Sequence, residues 1–239
     1  VGSARAPELI DADAVVLALP ARPASRLLAG AGPGSAGAAA SALAEIDYAS
    51  MAIVTLAYPA PAFSEPITGS GYLVPAVDGR PVKAVTFSTV KWPHLTGMPD
   101  AAAAALARSG ERNREPGAGS ALHVVRCSVG RIGEEAVLQR DDGDLAALAA
   151  ADLAAATGVT GAPVASRVSR WGGGLPQYSV GHLDRVRRIR DNVASLPGLA
   201  VCGAAYDGVG IPACIASARL AADQLLAYLQ SRAAVGRPA

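Results

Sequence analysis

The spacing of apolar positions changes character several times along the chain. From Ala14 to Leu19 every residue is apolar and Pro20 ends the run, the pattern of a strand buried on both faces in a parallel sheet. Such a strand needs neighbours that nothing upstream supplies, so the chain reads as the later part of a longer protein. Short helical stretches, Ala24–Leu28 and Ala38–Ile46, are joined by a Gly/Pro/Ser segment. From Met51 the period becomes two: Ile53, Thr55 and Ala57 share one face, and Val54, Leu56 and Tyr58 the other. Tyr72–Val77 and Val82–Val90 read as two more strands around Asp78-Gly79-Arg80-Pro81, a hairpin signal because Gly accepts the positive φ of a tight turn. An Ala-rich helix is expected from Asp100, a charged loop over Arg108–Ser120, and a strand over Leu122–Val129. Asp141 or Asp142 then caps a helix that runs to about Ala156 and stops at Gly158. Residues 51–139 thus form a mixed, largely antiparallel sheet with helices beside it.

Towards the C-terminus a helix is expected from near His182, with Leu183, Val186, Ile189 and Val193 on one side. Arg185, Arg187, Arg188 and Arg190 make its other faces basic, which reads as a solvated face rather than a nucleic-acid surface. Leu199–Cys202 is a short buried strand running into Gly203. Gly208, Gly210 and Pro212 follow, and then a long helix with Ile215, Ala218, Ala222, Leu225 and Leu229 on one face. The fold class is α/β, of mixed α+β character.

Composition narrows the function classes. Hydrophobic residues are 51% and charged residues 17% of 239 positions, which excludes a disordered, highly charged chain. With 21 basic and 20 acidic residues the net charge is +1, so no overall field draws the protein to nucleic acid or an anionic membrane. Cys127, Cys202 and Cys214 form no C-x-x-C pair, which argues against a disulfide scaffold or zinc ribbon and fits a reducing cytoplasm. No apolar run approaches the ~18 residues that span a bilayer, so no transmembrane segment is expected. His94, His123 and His182 lie far apart, and no metal site is expected. No Gly-x-Ser-x-Gly elbow frames a serine, so no hydrolase triad and no catalytic side chain is singled out. Gly32-Pro33-Gly34-Ser35-Ala36-Gly37 matches G-x-G-x-x-G, but it follows a helix end rather than a strand and reads as a loop.

The strand–glycine–helix unit at 199–229 is the informative piece. Its glycines let backbone approach a flat ligand, and Pro212 suits a first helical turn. Unpaired amides and the positive dipole end of that helix then face whatever lies above. A reduced flavin needs such donors, because hydride arrival leaves negative charge on one edge of its ring. An ordinary connection with glycines for tight packing has the same spacing, and both readings stay open on spacing alone.

The run Gly203-Ala204-Ala205-Tyr206-Asp207-Gly208-Val209-Gly210-Ile211-Pro212-Ala213-Cys214-Ile215-Ala216-Ser217 resembles the C-terminal flavin motif of the FAD-dependent porphyrinogen oxidases. That family includes protoporphyrinogen oxidase and the coproporphyrinogen III oxidase of Gram-positive bacteria. Lys91-Trp92-Pro93-His94, Arg126-Cys127-Ser128-Val129-Gly130-Arg131 and Pro176-Gln177-Tyr178-Ser179-Val180-Gly181-His182 agree with it in the same order. Family members open with a strand, a G-x-G-x-x-G turn and a helix that hold the FAD diphosphate. This chain lacks them and resembles the C-terminal portion of such an enzyme.

The resemblance implies three segments: residues 1–22 return from an incomplete, Rossmann-like FAD-binding domain, 23–165 bind substrate, and 166–239 complete the FAD-binding part. It implies FAD as cofactor, with Ala204, Val209, Gly210 and Ile211 at flavin-contacting positions. Trp171 matches an aromatic packed near the flavin, a buried structural Trp being the competing reading. The implied reaction is six-electron oxidation of a porphyrinogen in haem biosynthesis, with O2 as acceptor and H2O2 as product. Coproporphyrinogen III is favoured over protoporphyrinogen IX, because the terminal Gly-Val-Gly-Ile-Pro form looks like the Gram-positive branch. Peripheral membrane contact is compatible with a poorly soluble porphyrin substrate. Arg80, Lys83, Lys91, Arg126 and Arg167 are candidates for its propionate carboxylates. A flavin amine oxidase acting on a polyamine or carotenoid-like substrate, against which the 4% aromatic content speaks, is one alternative. The other is a non-catalytic remnant or subunit that needs a separate FAD-binding partner.

Overall fold

The computed structural model describes residues 2–3, 6–7, 9–95 and 122–235. The helix expected from Asp100 and the loop over 108–120 lie outside them. Two compact units divide the chain, residues 1–48 with 176–239, and residues 49–175. A small antiparallel ladder at the start pairs β1 (Gly2–Ser3) with β2 (Ala6–Pro7).

The 49–175 unit is a five-stranded sheet with one face in the core. Its strands are β4 (Tyr48–Pro59), β5 (Gly71–Leu73), β6 (Val82–Phe87), β7 (Leu122–Val129) and β8 (Ala165–Pro176), in the order β5-β6-β7-β4-β8. β5/β6, β6/β7 and β4/β7 pair antiparallel. Alternation decides the faces. Ala52, Val54, Leu56 and Tyr58 are buried, while Met51, Ile53 and Thr55 between them are partly exposed. A single-turn helix, α3 (Ser88–Lys91), follows β6. α4 (Asp142–Thr157) packs Leu145, Ala146, Ala149 and Leu153 into the same core as Val54, Val125 and Cys127. Asp141 caps α4 by accepting from the Asp144 amide at 2.8 Å, and Gly158 ends it in the left-handed conformation (φ +70°).

Three expectations change here. The strand expected over Tyr72–Val77 stops at Leu73, because Pro75 has no N–H for a ladder. Gly79 does take the left-handed seat (φ +62°), but after a 3₁₀ turn at Ala76–Asp78, within a connection spanning residues 74–81. β6 ends at Phe87 rather than Val90, since Ser88–Lys91 coil into α3.

In the other unit, β3 (Val15–Leu17) pairs parallel with β9 (Leu199–Val201). Helices cover β9 on both faces. Val201 joins the core of α1 (Ala21–Gly30), α2 (Ser35–Ala44) and α5 (His182–Ala194), which includes Leu28, Leu43, Ile46, Ile189 and Tyr206. Ala200 and Cys202 pack instead on Ala221 and Leu225 of α6 (Ile211–Val235). The Gly32–Gly37 segment joins α1 to α2, helix to helix.

Three details differ from the expectations. β3 is not buried on both faces: among the described residues β9 is its one strand neighbour, and Val15 and Val16 are 44% and 42% exposed. Leu183 faces solvent and His182 takes the buried place on α5. The buried stripe of α6 is Ser217, Ala221 and Leu225, whereas Ala218 and Ala222 are exposed, because the small residues let the helix approach β9. The compact units meet at 48/49 and 175/176, since α1 and α2 pack with α5 and β9.

Candidate functional site

β9 ends at Val201 and the chain turns at Gly203, whose φ of +125° disfavours any residue with a side chain. The loop that follows is fastened from several directions. The Gly203 amide donates to Ser217 Oγ on α6 at 3.2 Å. The Tyr178 hydroxyl donates to the Ala204 carbonyl at 2.5 Å. His182 Nε2 lies 3.0 Å from the Tyr206 carbonyl, and its ring stacks on Tyr178 at 4.1 Å between centroids. Arg190 grips the Asp207 carboxylate through both terminal nitrogens, with its guanidinium 5.9 Å from the Tyr206 ring centre.

Tyr206 is completely buried, which pushes its phenol pKa well above the ordinary value. Its hydroxyl and His182 Nδ1 are buried polar atoms without a hydrogen-bond partner among the described residues. Such atoms are uncommon in native interiors, and they put two unsatisfied polar atoms beneath the loop.

Beyond Asp207 the chain drops onto α6. A Cβ at Gly208 would lie 2.8 Å from the Ala213 Cβ, so this position must be glycine for the loop to seat on the first helical turn. The Cys214 amide closes that turn on the Gly210 carbonyl at 3.0 Å. The amides of Ile211 and Ala213 precede any intrahelical acceptor, and Gly210 carries no side chain to cap them. Around them Val209, Ile211 and Ile215 are exposed, Ile211 by 77%.

Amide donors at a positive helix end, ringed by apolar side chains, suit a planar group with apolar faces and an electron-rich edge. An isoalloxazine ring has that chemistry, and these residues fit it. Ala204, Val209, Gly210 and Ile211 therefore come together at one loop–helix junction. Trp171 stands on β8 in the other unit and is 58% exposed, so the buried structural reading fails. It borders a cavity of about 350 Å3 with Met51, Leu138 and Arg170.

The five cationic candidates separate. Arg80 pairs with buried Asp152 at 2.5 Å and also donates to its carbonyl. Lys83 donates to the Gly130 carbonyl, with burial and neighbouring Arg131 lowering its ammonium pKa. Lys91 lies over the Trp92 ring. Arg126 and Arg167 are exposed and have no ionic partner among the described residues. Sequence reasoning did not single out the Tyr178–His182–Tyr206 clamp, although Tyr178 and His182 lie in a motif noted for its resemblance. Among the described residues no cluster of His, Cys, Asp or Glu could hold a metal ion. No helix among them is long and apolar enough to cross a membrane.

A parallel strand pair followed by a glycine-lined helix start suits a flavoprotein-type ligand site, and the sequence comparisons point to that class. The model of the flavin containing amine oxidoreductase family matches residues 3–226, and the chain belongs to that family. It is 36% identical over 224 residues to the coproporphyrinogen III oxidase of Mycobacterium bovis, and 29% identical over 223 residues to that of Bacillus subtilis. Each alignment covers 93% of this chain and 42% of the relative. A crystal structure from Exiguobacterium sp. 255-15, provisionally named protoporphyrinogen oxidase, superposes with a TM-score of 0.68 at 29% identity, covering 92% of this chain and 42% of that one. The chain spans about two fifths of the length of the curated relatives it matches.

Proposed function

We propose that this chain carries the flavin-edge and substrate-binding parts of an O2-dependent porphyrinogen oxidase of haem biosynthesis, with coproporphyrinogen III as substrate. The 1–48/176–239 unit holds the ring of FAD and the 49–175 unit receives the porphyrinogen. One observation supports this above the others: the start of α6, where Gly210 offers no capping side chain, the Ile211 and Ala213 amides have no acceptor among the described residues, and Val209, Ile211 and Ile215 are exposed beside them. The names of the relatives favour coproporphyrinogen, and a protoporphyrinogen oxidase of Macaca fascicularis is 31% identical over 219 residues. FAD, when bound, supplies hydride acceptance from the substrate and passes the electrons to O2, three such rounds giving the porphyrin and three H2O2.

The residues of this chain have positioning work. Gly208 lets the loop lie on Ala213, and Tyr178, His182 and Arg190 fix its height from below. Amides held in that place stabilise developing negative charge without reorganising.

The test sets stability against binding. Gly210→Asp places a carboxylate where it takes the Ala213 N–H, and no neighbour obstructs it. Capping is expected to raise stability by about 0.5 kcal/mol, and FAD titration followed by flavin fluorescence is expected to show affinity reduced at least tenfold. Undiminished affinity in Gly210→Asp, or no flavin binding by the unaltered chain, would remove the reading.

A further inference from the structure

The five-stranded sheet has a second face that α4 does not cover. On β4 and β7 it presents Ile53, Thr55, Val124, Arg126 and Ser128, all partly or fully exposed. Register fixes Arg126 between two hydroxyl neighbours, opposite Thr55 on β4 and Thr86 on β6. β8 lies beside β4. Val168 packs into the core and Arg170 donates to the Leu138 carbonyl on the α4 side, so alternation sends Arg167 and Ser169 to the opposite face. Arg126 and Arg167 therefore share the open face with one strand between them, about 10 Å apart laterally.

The charge on this face is one-sided. None of the five strands carries an Asp or Glu. Most described arginines are spoken for: Arg80 by Asp152, Arg170 by Asp142, Arg185 by Glu45 and Arg190 by Asp207. Arg126 and Arg167 have no such partner among the described residues, and each presents a guanidinium fork, the group that grips a carboxylate through two parallel hydrogen bonds. Thr55 and Thr86 add hydroxyl donors, and Ile53 and Val124 supply apolar surface beside them.

We infer that Arg126 and Arg167 are the paired carboxylate anchors of this face, and that its ligand is a small amphiphilic polycarboxylate, here the tetrapropionate coproporphyrin skeleton. The inference rests on the porphyrinogen reading for the identity of the skeleton, and on geometry alone for the anion site. It also sorts four of the five cations: Arg80 and Lys83 hold the fold, and Arg126 and Arg167 hold the ligand.

The experiment titrates the full chain with coproporphyrin III, followed by its Soret absorbance, and with benzenehexacarboxylate, followed by calorimetry. Arg126→Gln and Arg167→Gln should each weaken both ligands roughly tenfold, the usual scale for one charge-assisted contact. The double variant should weaken them roughly a hundredfold, and Arg126→Lys should fall between. Arg219→Gln, an exposed and unpaired arginine of α6, should change neither. Thermal melts check that each variant is folded, and coproporphyrin tetramethyl ester should bind without sensitivity to either arginine. Porphyrin binding that ignores both substitutions overturns the anchors and leaves the porphyrin reading standing. Hexacarboxylate binding that needs both arginines, without porphyrin binding, supports the anion site and overturns its assignment to a porphyrin. Binding of neither ligand by the unaltered chain overturns the site.

Discussion

β4 and β3 are both apolar strands, and they meet water differently. β4 alternates, so its buried set closes against α4 and the neighbouring strands, while its other set stays partly exposed. β3 is apolar at every position, has a single strand neighbour among the described residues, and leaves Val15 and Val16 exposed. An alternating strand needs one covered face and a continuous run needs two. The sheet of the 49–175 unit meets its requirement with residues of its own unit, whereas among the described residues the parallel pair is covered on the β9 side only. Apolar sequence therefore converts into burial very unequally in these two strands.

The comparison breaks most readily at Leu56, which is completely buried. Leu56→Ala removes a large core side chain and leaves a cavity, at an expected cost of about 3 kcal/mol in urea unfolding. A cost below about 1 kcal/mol would mean that this core relaxes around the gap and is looser than its burial shows.

A smaller effect comes from titration in the same core. Burial pushes the Cys127 thiol up to about 12, with nearby Asp152 adding to the shift. Tyr58 is likewise pushed up to about 12, first by burial and then by Cys127. Both groups are neutral when protonated and both folded pKa values lie above the ordinary ones. Their stabilisation is thus complete below about pH 8 and is lost as pH rises toward 12, because the unfolded chain ionises first. Unfolding of this unit between pH 8 and 10 is expected to lose about 2 kcal/mol, and Cys127→Ala should flatten most of that slope. His123 works from the acid side. Burial lowers its pKa, so the stability present above about pH 6.5 is lost as pH falls through the folded value.

The same contrast explains what was legible in the sequence. Leu122–Val129 and the Asp141–Gly158 helix follow from local chemistry, alternation in one case and paired caps in the other. β8 was not foreseen: Gly172, Gly173 and Gly174 and the exposed Arg167, Arg170 and Trp171 erase its alternation, and pairing with β4 supplies what the pattern lacks. The buried face of α6 was misplaced because alanines surround the helix and cannot show which side a neighbour touches. The loop from Gly203 to Gly210 was visible through its glycines. The Tyr178–His182 clamp beneath it was not, since stacking and the Ala204 contact are tertiary facts. Arg126 and Arg167 could not be separated from Arg80 and Lys83 until their partners were seen.

The finest test of the comparison substitutes the same atoms in both strands. Val54→Thr and Val16→Thr each replace a methyl by a hydroxyl in a β-branched side chain, so strand propensity and shape barely change. Val54 is completely buried, and its new hydroxyl loses water without a designed partner, at a cost of about 1–3 kcal/mol. Val16 is 42% exposed, so a hydroxyl there keeps its water and the change is expected to cost less than about 0.5 kcal/mol. The readout is urea unfolding of each variant against the unaltered chain, with the fluorescence of Trp92 and Trp171 reporting the 49–175 unit and far-ultraviolet dichroism the whole chain. Equal costs for the two substitutions would show that β3 is covered in solution on the face that the described residues leave open, and the contrast between the units would then disappear.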